Sequence, residues 1–189
     1  MEQNILIVGV GGQGTLLASR VLGAIAVLVN KDCKLSEVHG MSQRGGSVVT
    51  HARIGEKVDS PIIPVGGADY IIAFEELEAL RWNHFLKEDG LMLVNVQRMM
   101  PMPVITGMAE YPKEIFKQLD DRNKKVMQIE GLKLASEAGN SKAVNVVMIG
   151  ALCNAMGVSY DIAKQAVTQC VPARLLEINL TALQLGYNL

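Results

Sequence analysis

Short apolar runs punctuated by glycine alternate with stretches of helical periodicity through most of this chain. Asn4 to Val8 is apolar at consecutive positions and leads into glycines, as a strand buried on both faces does. Thr15 to Asn30 is apolar on most helical faces and predicts about four turns of well-buried helix. Further strands are expected at Lys34 to His39, Ser47 to Ile54, Asp69 to Phe74, Leu91 to Asn95 and Val126 to Glu130. Between them, Glu75 to Phe85 and Leu132 to Ala138 read as helices, and Pro112 to Leu119 as a short helix with proline at its start. Met99 to Pro103 breaks the pattern and is expected to be non-helical. After Gly139 the strand signal stops, and Val144 to Met156, Tyr160 to Cys170 and Arg174 to Leu185 predict three helices separated by Gly157 and Pro172.

Alternating strands and helices predict an α/β fold: a Rossmann-like, mostly parallel sheet with helices on both faces and right-handed crossovers. A helical C-terminal extension, about residues 143–189, is added to it. Residues 1–189 are read as a single domain, because no repeat or low-complexity linker interrupts the chain. Val144, Val147, Met148, Ala151, Leu152 and Ala155 recur at helical spacing, enough apolar surface to cover the sheet and part of a partner.

Composition narrows the function classes. Apolar residues are 49% and charged residues 20%, with net charge −1, so no electrostatic footprint for nucleic acid is present. Aromatics at 4% leave little to stack bases on. No basic leader precedes Ile5, and the longest apolar run, Val21 to Val29, is shorter than the roughly 20 residues a membrane span requires. A cytoplasmic protein without membrane contact is expected. The three cysteines, Cys33, Cys153 and Cys170, are scattered and odd in number, which fits buried thiols better than a disulfide framework. An iron–sulfur cluster usually takes about four cysteine ligands, so this chain alone is expected to hold none. No two histidines stand at metal-ligand spacing, and no metal site is expected. His51 and His84 read as structural or exposed, and Glu75, Glu76 and Glu78 as solvated charge suited to a helix start.

Two motifs carry candidate chemistry. Gly9-Val10-Gly11-Gly12-Gln13-Gly14 fits G-x-G-x-x-G between a predicted strand and a predicted helix. Glycines there let the backbone turn and approach a phosphate, and the helix N-terminus favours an anion. A turn needed only for packing would look the same. The acid that a dinucleotide site wants about 20 residues later has a counterpart in Glu37, and Arg44 can instead meet a phosphate; NAD, NADP, another nucleotide and no ligand all stay open. The second motif is Ser42-Gln43-Arg44-Gly45-Gly46, with His39 just before it. Arg44 is a candidate anion contact, able to grip a carboxylate or phosphate bidentately or to pin its own loop. No catalytic residue stands out beyond it.

Together, the two motifs resemble the gamma-type catalytic domain of 2-oxoacid:ferredoxin oxidoreductases. The form His39-Gly40-Met41-Ser42-Gln43-Arg44-Gly45-Gly46 is most similar to the beta subunit of the indolepyruvate enzymes. The likeness runs over nearly the whole chain, including Gly67-Ala68-Asp69 and Asn145 to Leu152. It implies an assembly that decarboxylates a 2-oxoacid on thiamine diphosphate, passes electrons through 4Fe-4S clusters to ferredoxin and forms an acyl-CoA. With no Gly-Asp-Gly thiamine signature and too few cysteines here, those cofactors are expected on a large partner subunit. This chain would complete the assembly, inactive alone, with CoA as co-substrate; Gly9, Gly11, Gly12, Gln13 and Gly14 and residues Ser42 to Gly46 are the expected binding set. In isolation a homodimer is compatible with the sequence. The competing reading is a free-standing nucleotide-binding reductase or sensor module.

Overall fold

A computed structural model describes residues 2–38 and 46–189. The first apolar run becomes β1 (Gln3–Val10), flanked in one six-stranded sheet of order β2-β3-β1-β4-β5-β6. The other strands are β2 (Asp32–Val38), β3 (Ser47–Gly55), β4 (Ala68–Ala73), β5 (Leu86–Asn95) and β6 (Lys125–Ile129). β1, β4, β5 and β6 pair in parallel, while β3 runs antiparallel to both β1 and β2. The sheet is thus mostly parallel with one reversed strand, because β2 and β3 are joined by a connection too short for a crossover helix.

Alternation along β1 builds two cores. Ile5 and Ile7 enter one hydrophobic cluster, Leu6 and Val8 the other. α1 (Thr15–Leu28) packs on the first face through Ala18, Val21, Leu22 and Ile25. α2 (Glu76–Trp82), through Ala79, and α4 (Ile115–Asp120), through Ile115 and Leu119, close the second. Helices therefore lie on both faces. Between α2 and α4 the methionine segment contains one turn of helix, α3 (Met102–Ile105), which corrects the non-helical expectation. Strand β5 starts before Gly90, absorbing it at a register shift opposite Ala68 and Tyr70.

α5 (Gly131–Glu137), α6 (Val144–Ala155), α7 (Tyr160–Cys170) and α8 (Leu176–Tyr187) complete the first face. α6 is buried at every position from Val146 to Cys153. Most of its apolar stripe is consumed inside the chain, between sheet and α8, with Val144 and Ala155 half-buried, while Met100 and Met102 of the methionine segment are exposed. The two helices meet backbone to backbone: a Cβ on Gly186 would stand 1.9 Å from the Val147 carbonyl oxygen, and one on Gly150 2.3 Å from that of Leu183. No helix among the described residues is long and apolar enough to cross a membrane.

Candidate functional site

The chain leaves β1 toward α1 and β2 on one side, while β4 lies on the other. Open α/β sheets collect ligands at such a switch point, outside the carboxyl ends of the strands. Here that place holds a cavity of about 560 Å³, with Gly11, Gly12 and Gln13 on one wall and Phe74, Gln97 and Met99 on another. Leu132 and Lys142, from the segments that open α5 and α6, close its rim.

The glycine loop is shaped by its own contacts. Gly12 and Gly14 take positive φ, 97° and 83°, the region that favours glycine. Gly14 caps α1, and a Cβ there would strike the Asn145 side-chain nitrogen at 2.3 Å. The Gln13 N–H donates to Val10 O, and the Gly11 N–H to Gly46 O at 2.9 Å, so the end of the second motif meets the first in space. The N–H groups of Gly12, Gly14, Thr15 and Leu16 have no acceptor among the described residues. They stand at the positive end of α1, and of their residues Gly12 lines the cavity.

A chain of side-chain amides ties the loop to the other strand ends. Gln13 Oε1 accepts from Val10 N at 2.8 Å, and its Nε2 donates to Phe74 O at 3.0 Å. Asn95, fully buried at the end of β5, donates through Nδ2 to the same Phe74 O at 3.1 Å and accepts from Gly131 N at 3.1 Å. Gln97 lies between them, its Oε1 accepting from Asn95 Nδ2 at 2.9 Å and Gln13 Nε2 at 3.4 Å. Gly9 is bare where a Cβ would meet Gln13 Oε1 at 2.9 Å. Gly9 thus serves the fold-back of Gln13 and sits behind the wall.

Beside the cavity, the three glutamates expected in solvent are buried, at 1%, 3% and 3% exposure for Glu75, Glu76 and Glu78. Each has partners that solvent would otherwise supply. Glu75 caps α2 through Glu78 N at 3.0 Å and accepts from Met99 N at 3.0 Å and the Tyr111 hydroxyl at 2.5 Å. Met99 and Tyr111, on either side of α3, are thereby strapped to one carboxylate. Glu76 pairs with Arg98 at 2.8 Å. Glu78 accepts from Ser47 and Trp82 and faces Arg81, yet burial still pushes its carboxyl above the usual range.

Of the expected binding set, the structure brings Gly11, Gly12 and Gln13 to the cavity, Gly14 and Gly46 to its supports, and Gly9 behind it. His39, Ser42, Gln43, Arg44 and Gly45 lie outside the described residues. Glu37 accepts from the Ser19 hydroxyl at 2.5 Å. Sequence reasoning missed Asn95, Gln97 and Lys142. The available signal was a polar residue, Asn95, closing an otherwise apolar strand at its carboxyl end. Cys153 is fully buried, its thiol pushed up to about 12 by burial, and Cys33 and Cys170 are half-buried. Among the described residues no three His, Cys, Asp or Glu side chains converge, so these donors do not fit an iron–sulfur cluster.

Comparison with known proteins gives the family and the fold. The family model for pyruvate ferredoxin/flavodoxin oxidoreductase matches residues 4–189. The indolepyruvate oxidoreductase subunit IorB of Archaeoglobus fulgidus is 38% identical over 192 residues, covering 100% of this chain and 95% of that protein. The crystal structure of pyruvate oxidoreductase subunit PORC from Thermotoga maritima superposes with a TM-score of 0.75 at 22% identity, over 99% of this chain and 96% of that one. The 2-oxoglutarate:ferredoxin oxidoreductase of Magnetococcus marinus, solved with 2-oxoglutarate, coenzyme A and succinyl-CoA bound, matches 99% of this chain with 30% of its own, at TM-score 0.74 and 16% identity. At these identities the two structural likenesses speak to the fold.

Proposed function

The chain belongs to the pyruvate ferredoxin/flavodoxin oxidoreductase family, and from that premise we propose that it is the small, cluster-free subunit of a 2-oxoacid:ferredoxin oxidoreductase acting on indolepyruvate and related aryl 2-oxoacids. The overall reaction converts a 2-oxoacid anion, CoA thiol and two oxidised ferredoxins into acyl-CoA, carbon dioxide, two reduced ferredoxins and a proton. Thiamine diphosphate supplies the carbanion chemistry and 4Fe-4S clusters the electron path, both from a large partner subunit. The IorB relative supports the aryl substrate class. The Magnetococcus marinus match, in which a chain of this fold is 30% of a longer polypeptide, supports assembly with such a partner.

The observation that carries this chain's own role is the cavity at the carboxyl ends of β1, β4 and β5. Its lining is mixed. Gly12, Gln97 and Lys142 give it donors and positive charge, while Phe74, Met99 and Leu132 give it apolar surface. A phosphate-bearing ligand with a largely uncharged arm suits that mixture, and CoA is such a ligand. The chain's residues bind and orient it; Arg44 is the further anion contact we assign to the second motif. The test is coexpression with the thiamine- and cluster-binding subunit under anaerobic conditions, followed by an assay of CoA-dependent ferredoxin reduction. Indolepyruvate is expected to exceed pyruvate and 2-oxoglutarate, and the lone chain to be inactive. Activity of the lone chain, or failure of the two chains to associate, overturns the proposal.

A further inference from the structure

Gln97 has an orientation that nothing in the network leaves free. Gln13 Oε1 faces a backbone N–H, that of Val10, so its Nε2 must be the donor it turns toward Phe74 O and Gln97. Asn95 Oδ1 faces the Gly131 N–H, so its Nδ2 is likewise a donor toward Phe74 O and Gln97. Backbone groups, whose polarity is unambiguous, thus fix both neighbours. Gln97 can only answer with its carbonyl oxygen. Its NH₂ is then left with no acceptor among the described residues, on a half-buried side chain that lines the cavity.

We propose that Gln97 is a specificity-determining residue of this cavity: the amide network locks its NH₂ as a donor toward the bound ligand, so the site takes an acceptor-rich, anionic group there and disfavours a donor. The inference rests on the reading of the cavity as a CoA site. Gln97 and Gly12, whose N–H has no acceptor among the described residues, line one cavity and offer the same polarity, with Lys142 adding charge. A residue present only to hold β5 against the glycine loop would need its oxygen alone.

That distinction sets the experiment, done on the reconstituted heteromer with CoA as the probe. Gln97→Glu keeps an oxygen for Gln13 and Asn95 but replaces the donor with a negative charge. Its thermal midpoint is expected to stay near wild type while KM for CoA rises about tenfold or more and kcat at saturating CoA is little changed. Gln97→Leu removes the donor without adding charge, and with it the oxygen that Asn95 and Gln13 use, so its thermal midpoint is expected to fall; a rise in KM for CoA of about fivefold is expected, smaller than for Gln97→Glu. Calorimetric titration with CoA should reproduce the order. An unchanged KM in either variant, or Gln97→Glu less impaired than Gln97→Leu, overturns the inference. Gly12→Ala and Lys142→Ala separate the two levels. If they weaken CoA binding while the Gln97 variants do not, Gln97 alone is misassigned. If neither they nor the Gln97 variants matter, the CoA reading fails and takes this inference with it.

Discussion

The glycine loop and the crossing of α6 with α8 use the same residue for opposite ends. At the crossing, Gly150 and Gly186 let two backbones touch, and a Cβ would have to enter space held by the Leu183 or Val147 carbonyl. At the loop, Gly12 has nothing within 4 Å of the position its Cβ would take, and what constrains it is a φ of 97°. The first pair fills space; the second residue leaves it open, and its N–H has no acceptor among the described residues. Packing that tight responds to volume, whereas an open polar wall responds to charge and hydrogen-bond polarity. One region is therefore fold and the other is site.

The largest effect should come from breaking the crossing. Gly186→Ala places a methyl 1.9 Å from Val147 O, and neither backbone has a flexible end to yield. Overpacking of this kind costs about 3 kcal/mol or more. For a chain of this size that lowers the thermal midpoint by roughly 6–12 °C. Calorimetric melting of the purified chain checks it, and a variant within 2 °C of wild type, by the same scale, would show the helices free to slide apart. Glu75→Gln comes next. The glutamine must turn an NH₂ toward one of the donors on Met99, Glu78 or Tyr111. Losing a hydrogen bond to a charged group costs roughly 1.5–3 kcal/mol. Limited proteolysis should then cut faster between residues 100 and 110, while an unchanged cleavage rate would mean that the strap holds nothing.

Gly12→Ala sharpens the comparison from the other side. A left-handed alanine costs about 1–2 kcal/mol, so the chain should still fold, yet CoA affinity in the heteromer should fall about tenfold. A loss of stability equal to that of Gly186→Ala, with affinity intact, would erase the difference between the two regions.

How much of this was legible in the sequence follows from what each region depends on. β1 was plain because a strand buried on both faces writes itself as an unbroken apolar run, and the glycine motif announced the turn behind it. The reversal of β3 was not, because Ser47–Gly55 alternates in the same way whichever direction it runs. Glu75, Glu76 and Glu78 read as a solvated helix start because their partners, Arg98, Met99, Tyr111 and Ser47, come from other segments of the chain. The amide network was hidden for the same reason. Gln13, Asn95 and Gln97 are unremarkable singly and acquire meaning only when the carboxyl ends of β1 and β5 flank Phe74. The cover of the α6 stripe by α8 was hidden since periodicity counts apolar faces without saying whether another helix of the same chain covers them.

The smallest effect is one of protons, which the glycine contact at the crossing cannot show and the sheet can. His51 on β3 is nearly buried, and its Nδ1 accepts from Ile63 N at 3.2 Å. Burial pushes the imidazole below its ordinary 6.5. The unfolded chain therefore binds the proton more readily, so this contribution is complete above about pH 6.5 and is lost as pH falls toward the folded value. Protonation also abolishes the acceptor on Nδ1. Glu78 works in the opposite sense: its raised carboxyl stabilises most below its ordinary 4.5 and the contribution is lost as pH rises through the folded value. The two can mask each other in the wild-type profile. His51→Asn isolates the histidine, because the amide oxygen can accept from Ile63 N at any pH. Between pH 7 and 5 the wild type should lose up to about 1 kcal/mol that the variant keeps, the value of one hydrogen bond. Thermal midpoints measured across that range, with Glu78→Gln alongside, should show the slope flattened by His51→Asn alone; the same slope in both proteins would place the acid sensitivity elsewhere.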